Sequence, residues 1–187
     1  MADEVLPNAK TGRVAFFNGP PSTGKTSLVE ALQSEVDEPW FHRSLDEFHA
    51  GIADRWWDED EGELFEQLVV GYLSSLLHVA LAGINVMAEA VIVPARRNLY
   101  QRILGETPIL LIGVKCRLEV ATERERRRPD RRHGPIDLPA RYFETVHAGL
   151  KYDLEVATDS HTATELAIDL LPQFERLDPS PYASHLD

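Results

Sequence analysis

The stretch Gly19-Pro20-Pro21-Ser22-Thr23-Gly24-Lys25-Thr26 has the form G-x-x-x-x-G-K-T. That spacing wraps backbone N–H groups around nucleotide phosphates. Arg13-Val14-Ala15-Phe16-Phe17-Asn18 stands before it and reads as a buried strand. Ser27–Ser34 follows with the apolar spacing of a helix. Strand, glycine turn and helix N-terminus in this order are the context the motif requires, which weighs against a chance glycine turn. The reading assigns Gly19 to Ser27 to nucleotide binding. Within it, the Lys25 ammonium reaches the β- and γ-phosphates and the Thr26 hydroxyl ligates Mg²⁺.

Further along the chain, apolar runs alternate with helical patterns. Leu64–Leu81 keeps near-helical spacing through Leu64, Leu68, Tyr72, Leu76 and Val79. Ile84–Val93 reads as a strand running into a loop at Pro94, and Arg96–Leu104 as a helix. Pro108–Val114 is a further strand, and Leu118–Arg128 a helix stopped by Pro129. Ala140–Gly149 reads as a helix, Ala157–Thr158 as the end of a short strand and Thr164–Phe174 as a last helix. The alternation predicts an α/β domain with a parallel sheet. Residues 1–12 are expected to be a flexible lead-in, 13–176 the domain with a lid at about 117–138, and 177–187 a mobile tail.

The chain of 187 residues suits one domain, and at 43% hydrophobic its composition is that of a water-soluble globular protein. No apolar run is expected to span a bilayer. The acidic start Met1-Ala2-Asp3-Glu4 lacks the layout of a signal peptide. One cysteine, Cys116, allows no intrachain disulfide and fits a reducing cytoplasm. The net charge of −12 argues against general nucleic-acid binding. Positive charge is instead concentrated locally, at Arg124, Arg126, Arg127, Arg128, Arg131 and Arg132. A homo-oligomer is compatible with the sequence, which does not specify one.

Three further features bear on chemistry. Asp46 lies twenty residues past Thr26, room for one helix and a second strand. A carboxylate at the carboxyl end of a strand can accept the proton of a substrate hydroxyl as it attacks phosphorus; a helix cap or solvated acid is the alternative. Glu47 and His49 are its competitors. Glu89, at the end of an apolar strand, has the layout of a group that holds Mg²⁺. Arg124 and Arg128 share a helix face, so a flap carrying them would neutralise charge building on the γ-phosphate. The alternative is a solvated face paired with Glu123 and Glu125. Trp56 and Trp57, beside acids 58–61, form either a wall for an aromatic or cationic acceptor or part of the core. His147, Tyr152 and Asp153 are polar enough to line a cleft.

Taken together these residues resemble the chloramphenicol phosphotransferase family of P-loop kinases. The likeness runs through Asn18-Gly19 and the loop, Leu32-Gln33-Ser34, Glu38-Pro39-Trp40 and Asp46. It continues through Gly113-Val114-Lys115-Cys116, Arg124-Glu125, Arg128, Asp130-Arg131 and Gly134, and ends at Val146-His147-Ala148-Gly149 and Tyr152-Asp153. The resemblance implies a three-layer α/β/α fold with a five-stranded parallel sheet and a small helical lid. It implies ATP and Mg²⁺ as cofactors and Asp46 as the base on the acceptor's primary hydroxyl. It also puts Arg124, Arg128 and Arg131 in a lid-like segment near ATP. The departures fall on the acceptor side. Residues 48–66 are unlike that family's counterpart, Tyr142 stands for a glutamine, and Glu89-Ala90 stands for a pair of aspartates.

The expected activity is ATP-dependent phosphorylation of a small-molecule hydroxyl, with a chloramphenicol-like natural product as the acceptor the resemblance implies. Lys25, Asp46 and Arg128 are the expected catalytic residues, and Thr26 and Glu89 the metal-side residues. A metabolite kinase for a nucleoside, sugar or shikimate-like acid shares the nucleotide half. A nucleotide-binding switch is the third reading; the guanine motif N/T-K-x-D of a GTPase is missing from the sequence.

Overall fold

Three of the apolar runs are buried along nearly their whole length, as strands covered on both sides must be. In the computed structural model, which describes residues 10–57, 62–128 and 138–186, they form the centre of the sheet. In chain order the elements are β1 (Val14–Asn18), α1 (Lys25–Glu35), β2 (Trp40–Ser44), α2 (Leu45–Ala50), α3 (Glu63–Leu81), β3 (Asn85–Ala90), α4 (Arg97–Leu104), β4 (Pro108–Lys115), α5 (Leu118–Arg127), α6 (Leu138–Phe143), β5 (Leu154–Ala157), α7 (Ala163–Arg176) and β6 (Ser180–Pro181). Three short 3₁₀ turns cover Asp54–Trp56, Pro94–Arg96 and Tyr182–His185.

Five strands run parallel in the order β2-β3-β1-β4-β5. The period-2 pleat sends Phe16, Val86, Ala88 and Leu111 to one face, where α3 and α4 supply Tyr72, Leu73, Leu76 and Tyr100. Phe17, Met87, Leu110 and Ile112 go to the other face, against Leu28 and Leu32 of α1 and Leu170 and Phe174 of α7. The result is the expected α/β/α arrangement. Because β3 pairs with β1 and the chain then passes over β1 to β4, the crevice lies beyond the carboxyl ends of β1 and β3. Asn18, Ser44 and Glu89 all sit at that end, with Glu89 level with both Phe17 and Ser44.

Four expectations are corrected. The strand at Ile84–Val93 stops at Ala90, because the Asn18 side chain takes the Ile92 N–H and the chain peels from β1. The helix at Ala140–Gly149 ends at Phe143, followed by turns in which the Tyr142 carbonyl accepts from Val146. The tail is not loose between 180 and 186. β6 pairs antiparallel with the start of β4, Tyr182 is fully buried, and the Lys151 N–H donates to the His185 carbonyl. Finally, α3 is long and apolar enough to cross a membrane by length and composition, with a hydropathy of 1.5; here it packs on the sheet through Val69, Tyr72, Leu73, Leu76 and Ala80. Residues 1–9 of the lead-in, acids 58–61 beside Trp57, and 129–137 of the lid, Arg131 and Arg132 included, lie outside the described residues.

Candidate active site

The loop between β1 and α1 is held from beneath. Gly24 caps α1 with φ +85, a left-handed geometry that suits glycine. At Gly19 an added Cβ would lie 2.3 Å from the Val114 carbonyl oxygen, so only a residue without one fits. Ser22 also has positive φ, at +59. The Thr23 hydroxyl ties the loop to itself by donating to the Pro20 carbonyl at 2.9 Å. Thr158, after β5, donates its hydroxyl to the Thr23 carbonyl. Lys25 is buried, with Nζ donating to the carbonyls of Gly19 (3.0 Å) and Pro20 (2.9 Å). Burial holds its ammonium below the ordinary lysine value, while Glu89 and Asp46 act in the opposite sense.

A cleft of about 270 Å³ opens over this loop. Pro21, Ser22, Gly24, Lys25, Thr26 and Ser27 line it from the loop and the start of α1, Ser44, Leu45, Asp46, Glu89, Ala90 and Val91 from the ends of β2 and β3, and Arg124 and Arg128 from α5 and its end. Gly19, Pro20 and Thr23 support the loop from behind the lining. Asp46 is the second residue of α2, whose start is fixed by a capping box. In that box Ser44 accepts from the Glu47 N–H, and the Glu47 carboxylate accepts from the Ser44 N–H. This geometry leaves the Asp46 carboxylate exposed to the cleft.

The Thr26 hydroxyl donates to Glu89 Oε2 at 2.9 Å, and Glu89 is only 4% exposed. A buried carboxylate beside a hydroxyl is a pair of hard oxygen donors. It fits Mg²⁺, which binds through one or two protein oxygens together with substrate phosphates. Among the described residues no group of three or more His, Cys, Asp or Glu side chains is placed to enclose a metal. His42 on β2 holds the other oxygen of Glu89 at 2.7 Å through Nε2, a contact the sequence reading missed. Tyr72 steadies the Glu89 backbone by donating to its carbonyl.

The arginines divide. Arg124 donates to the carbonyls of Thr23 (3.4 Å) and Thr158 (2.7 Å), which fastens α5 to the loop. Arg128, at the end of α5, lies 3.9 Å from Glu125. Arg126 and Arg127 pair with Glu123 on the exposed face. A second cleft, of about 340 Å³, lies between α1, Arg124, Thr158, His161, Thr162 and Leu166.

Beyond α2, Trp57 stacks on His49 with ring centroids 3.8 Å apart and meets Phe65 edge-on, whereas Trp56 is 60% exposed beneath Arg55. Neither tryptophan lines the cleft. His147 and Tyr152 join a partly buried hydrogen-bond network instead. The Asn18 amide donates to the Val146 carbonyl (3.1 Å) and the Tyr152 hydroxyl (2.7 Å), and that hydroxyl contacts His147 Nδ1 at 2.8 Å. Burial, with Lys115 nearby, pushes the His147 imidazole down to about 4. The folded state thus takes up this proton far less readily than the unfolded chain. The stability it contributes is complete above the ordinary value of about 6.5 and is lost as pH falls toward about 4. Melting curves across that window are expected to fall less steeply for His147→Gln than for the parent chain; equal slopes would contradict it.

Residues 12–175 match the family described as chloramphenicol phosphotransferase-like protein. Two Mycobacterium tuberculosis proteins, from strains CDC 1551 / Oshkosh and ATCC 25618 / H37Rv, are provisionally named O-phosphotransferases. Each is 27% identical over 198 residues, covering 92% of this chain and 86% of its own length. Among solved structures, the APS kinase CysC of M. tuberculosis in complex with AMPPNP and APS superposes with a TM-score of 0.63 at 16% identity, over 88% of this chain and 98% of its own. A shikimate kinase from Acinetobacter baumannii in complex with shikimate gives 0.57 at 21%, over 89% and 96%. At these identities the two structures speak to the fold.

Proposed function

The chain belongs to the chloramphenicol phosphotransferase-like family and is an ATP-dependent kinase by class, and we propose that it moves the γ-phosphoryl group of ATP to an alcohol oxygen of a small natural product. The observation that carries this reading is one cleft in which Lys25, Thr26, Glu89, Arg128 and the exposed Asp46 all face the same space.

In this reading the loop amides and Lys25 bind the phosphates, and Lys25 steadies negative charge at the transferring group. Thr26 and Glu89 would hold Mg²⁺, which would supply charge neutralisation on the phosphate oxygens when bound. Asp46 accepts the proton of the attacking hydroxyl, and Arg128 screens the group in flight. The nucleotide base occupies the second cleft, beside Arg124 and Thr158. Chloramphenicol is the first acceptor to try. Dependence on ATP and a single thiol suit a cytoplasmic protein.

The test is ADP release measured with Mg²⁺–ATP alone, with chloramphenicol, and with a panel of primary alcohols selected by thermal shift in the presence of a non-hydrolysable ATP analogue. The expected result is turnover that rises with one acceptor and matches the phosphate ester formed. Tight nucleotide binding with turnover that no alcohol changes would favour a nucleotide switch instead.

A further inference from the structure

We propose that Glu125 is a positioning residue that holds the phosphate loop in its anion-binding shape through Ser22. The inference rests on the ATP reading above. Two residues of the loop, Ser22 at φ +59 and Gly24 at φ +85, have left-handed backbones within three positions. Such a turn points successive N–H groups into one concavity. Glycine adopts this geometry freely, but serine does not. Among the described residues Ser22 is the one non-glycine with positive φ. Its hydroxyl donates to Glu125 Oε2, from a helix 103 residues further along the chain. Glu125 is 4% exposed, and the same oxygen lies 3.9 Å from Arg128 Nη1. A single buried carboxylate therefore ties the strained loop residue to the arginine end of α5.

Electrostatics alone assigns Glu125 the opposite effect. A carboxylate beside a phosphate site repels the ligand, so removing it should tighten binding. If Glu125 instead holds Ser22, removing it lets the loop leave the binding-competent shape, and affinity falls by the fraction of chains that do so. The two roles differ in sign.

The experiment measures Mg²⁺–ADP affinity by calorimetry, alongside melting temperature. Glu125→Gln keeps an acceptor for the Ser22 hydroxyl and is expected to bind ADP at least as well as the parent chain. Glu125→Ala is expected to bind about tenfold more weakly. Adding Ser22→Gly, which needs no holding at positive φ, should restore most of that loss. In the parent background, Ser22→Ala keeps the strain and loses the tie, so it should weaken ADP binding more than Ser22→Gly does. This pair decides the matter even if Glu125→Ala fails to fold. Tighter binding by Glu125→Ala, no rescue by Ser22→Gly, or equal affinities for the two Ser22 variants would overturn the proposal. Parent-chain ADP binding that Lys25→Met removes would leave the ATP reading intact in each case.

Discussion

Asp46→Asn should lower acceptor-dependent turnover by about 10²- to 10⁴-fold, the range for losing a positioned general base. It should leave ADP affinity nearly unchanged. The amide is isosteric and cannot take up the hydroxyl proton. The site should survive the change, because the start of α2 is fixed by Ser44 and Glu47 and not by Asp46. Losing a negative charge in the first turn of a helix costs about 0.3–1 kcal/mol of stability, a small effect beside the rate loss. Steady-state kinetics and an ADP titration on one preparation separate the two. Weaker ADP binding in step with turnover would make Asp46 a nucleotide ligand and not a base.

Lys25→Met should be as damaging to turnover, by about 10²- to 10³-fold if the ammonium stabilises transferring charge as a single preorganised donor does. Unlike Asp46→Asn, it should also weaken nucleotide binding. Its effect on folding is expected to be small. The methionine fills the space of the lysine stem, and burial already disfavours the Lys25 charge. The Pro20 carbonyl keeps its bond from Thr23, while the Gly19 carbonyl loses its ammonium donor. A melting temperature near that of the parent, with both kinetic constants impaired, is the expected signature. A collapse of stability would recast Lys25 as a structural tie of the loop.

What could be read from the sequence was local. The loop spacing, the strand before it and the helix after it are short-range patterns, and they fix β1, α1 and the phosphate side together. Glu89 stands out as an acid at the end of an apolar run and Asp46 by its distance past Thr26, and both line the cleft at the carboxyl edge of the sheet. What the sequence did not disclose depends on strand order. His42 meets Glu89 because β2 lies beside β3, and Asn18 reaches Val146 and Ile92 because β1 lies between β3 and β4. The Ser22–Glu125 contact has the same origin, since it forms only once α5 is laid over the loop. The tail was misread from Pro179 and Pro181, which signal a loop. Tyr182 directly after them was the contrary sign, a large aromatic that fills the α4 side of the core against Tyr100. The acceptor side was the least legible, since stacking of Trp57 on His49 has no sequence period.

The most direct test of the central claim is phosphorus NMR of the products formed from ATP, Mg²⁺ and a hydroxyl acceptor, chloramphenicol first, by the parent chain and by Asp46→Asn. The account predicts ADP and an equal amount of acceptor phosphate monoester from the parent, and about a hundredth or less of each from the variant in the same time. ADP with inorganic phosphate alone, or monoester formed equally by Asp46→Asn, would contradict it.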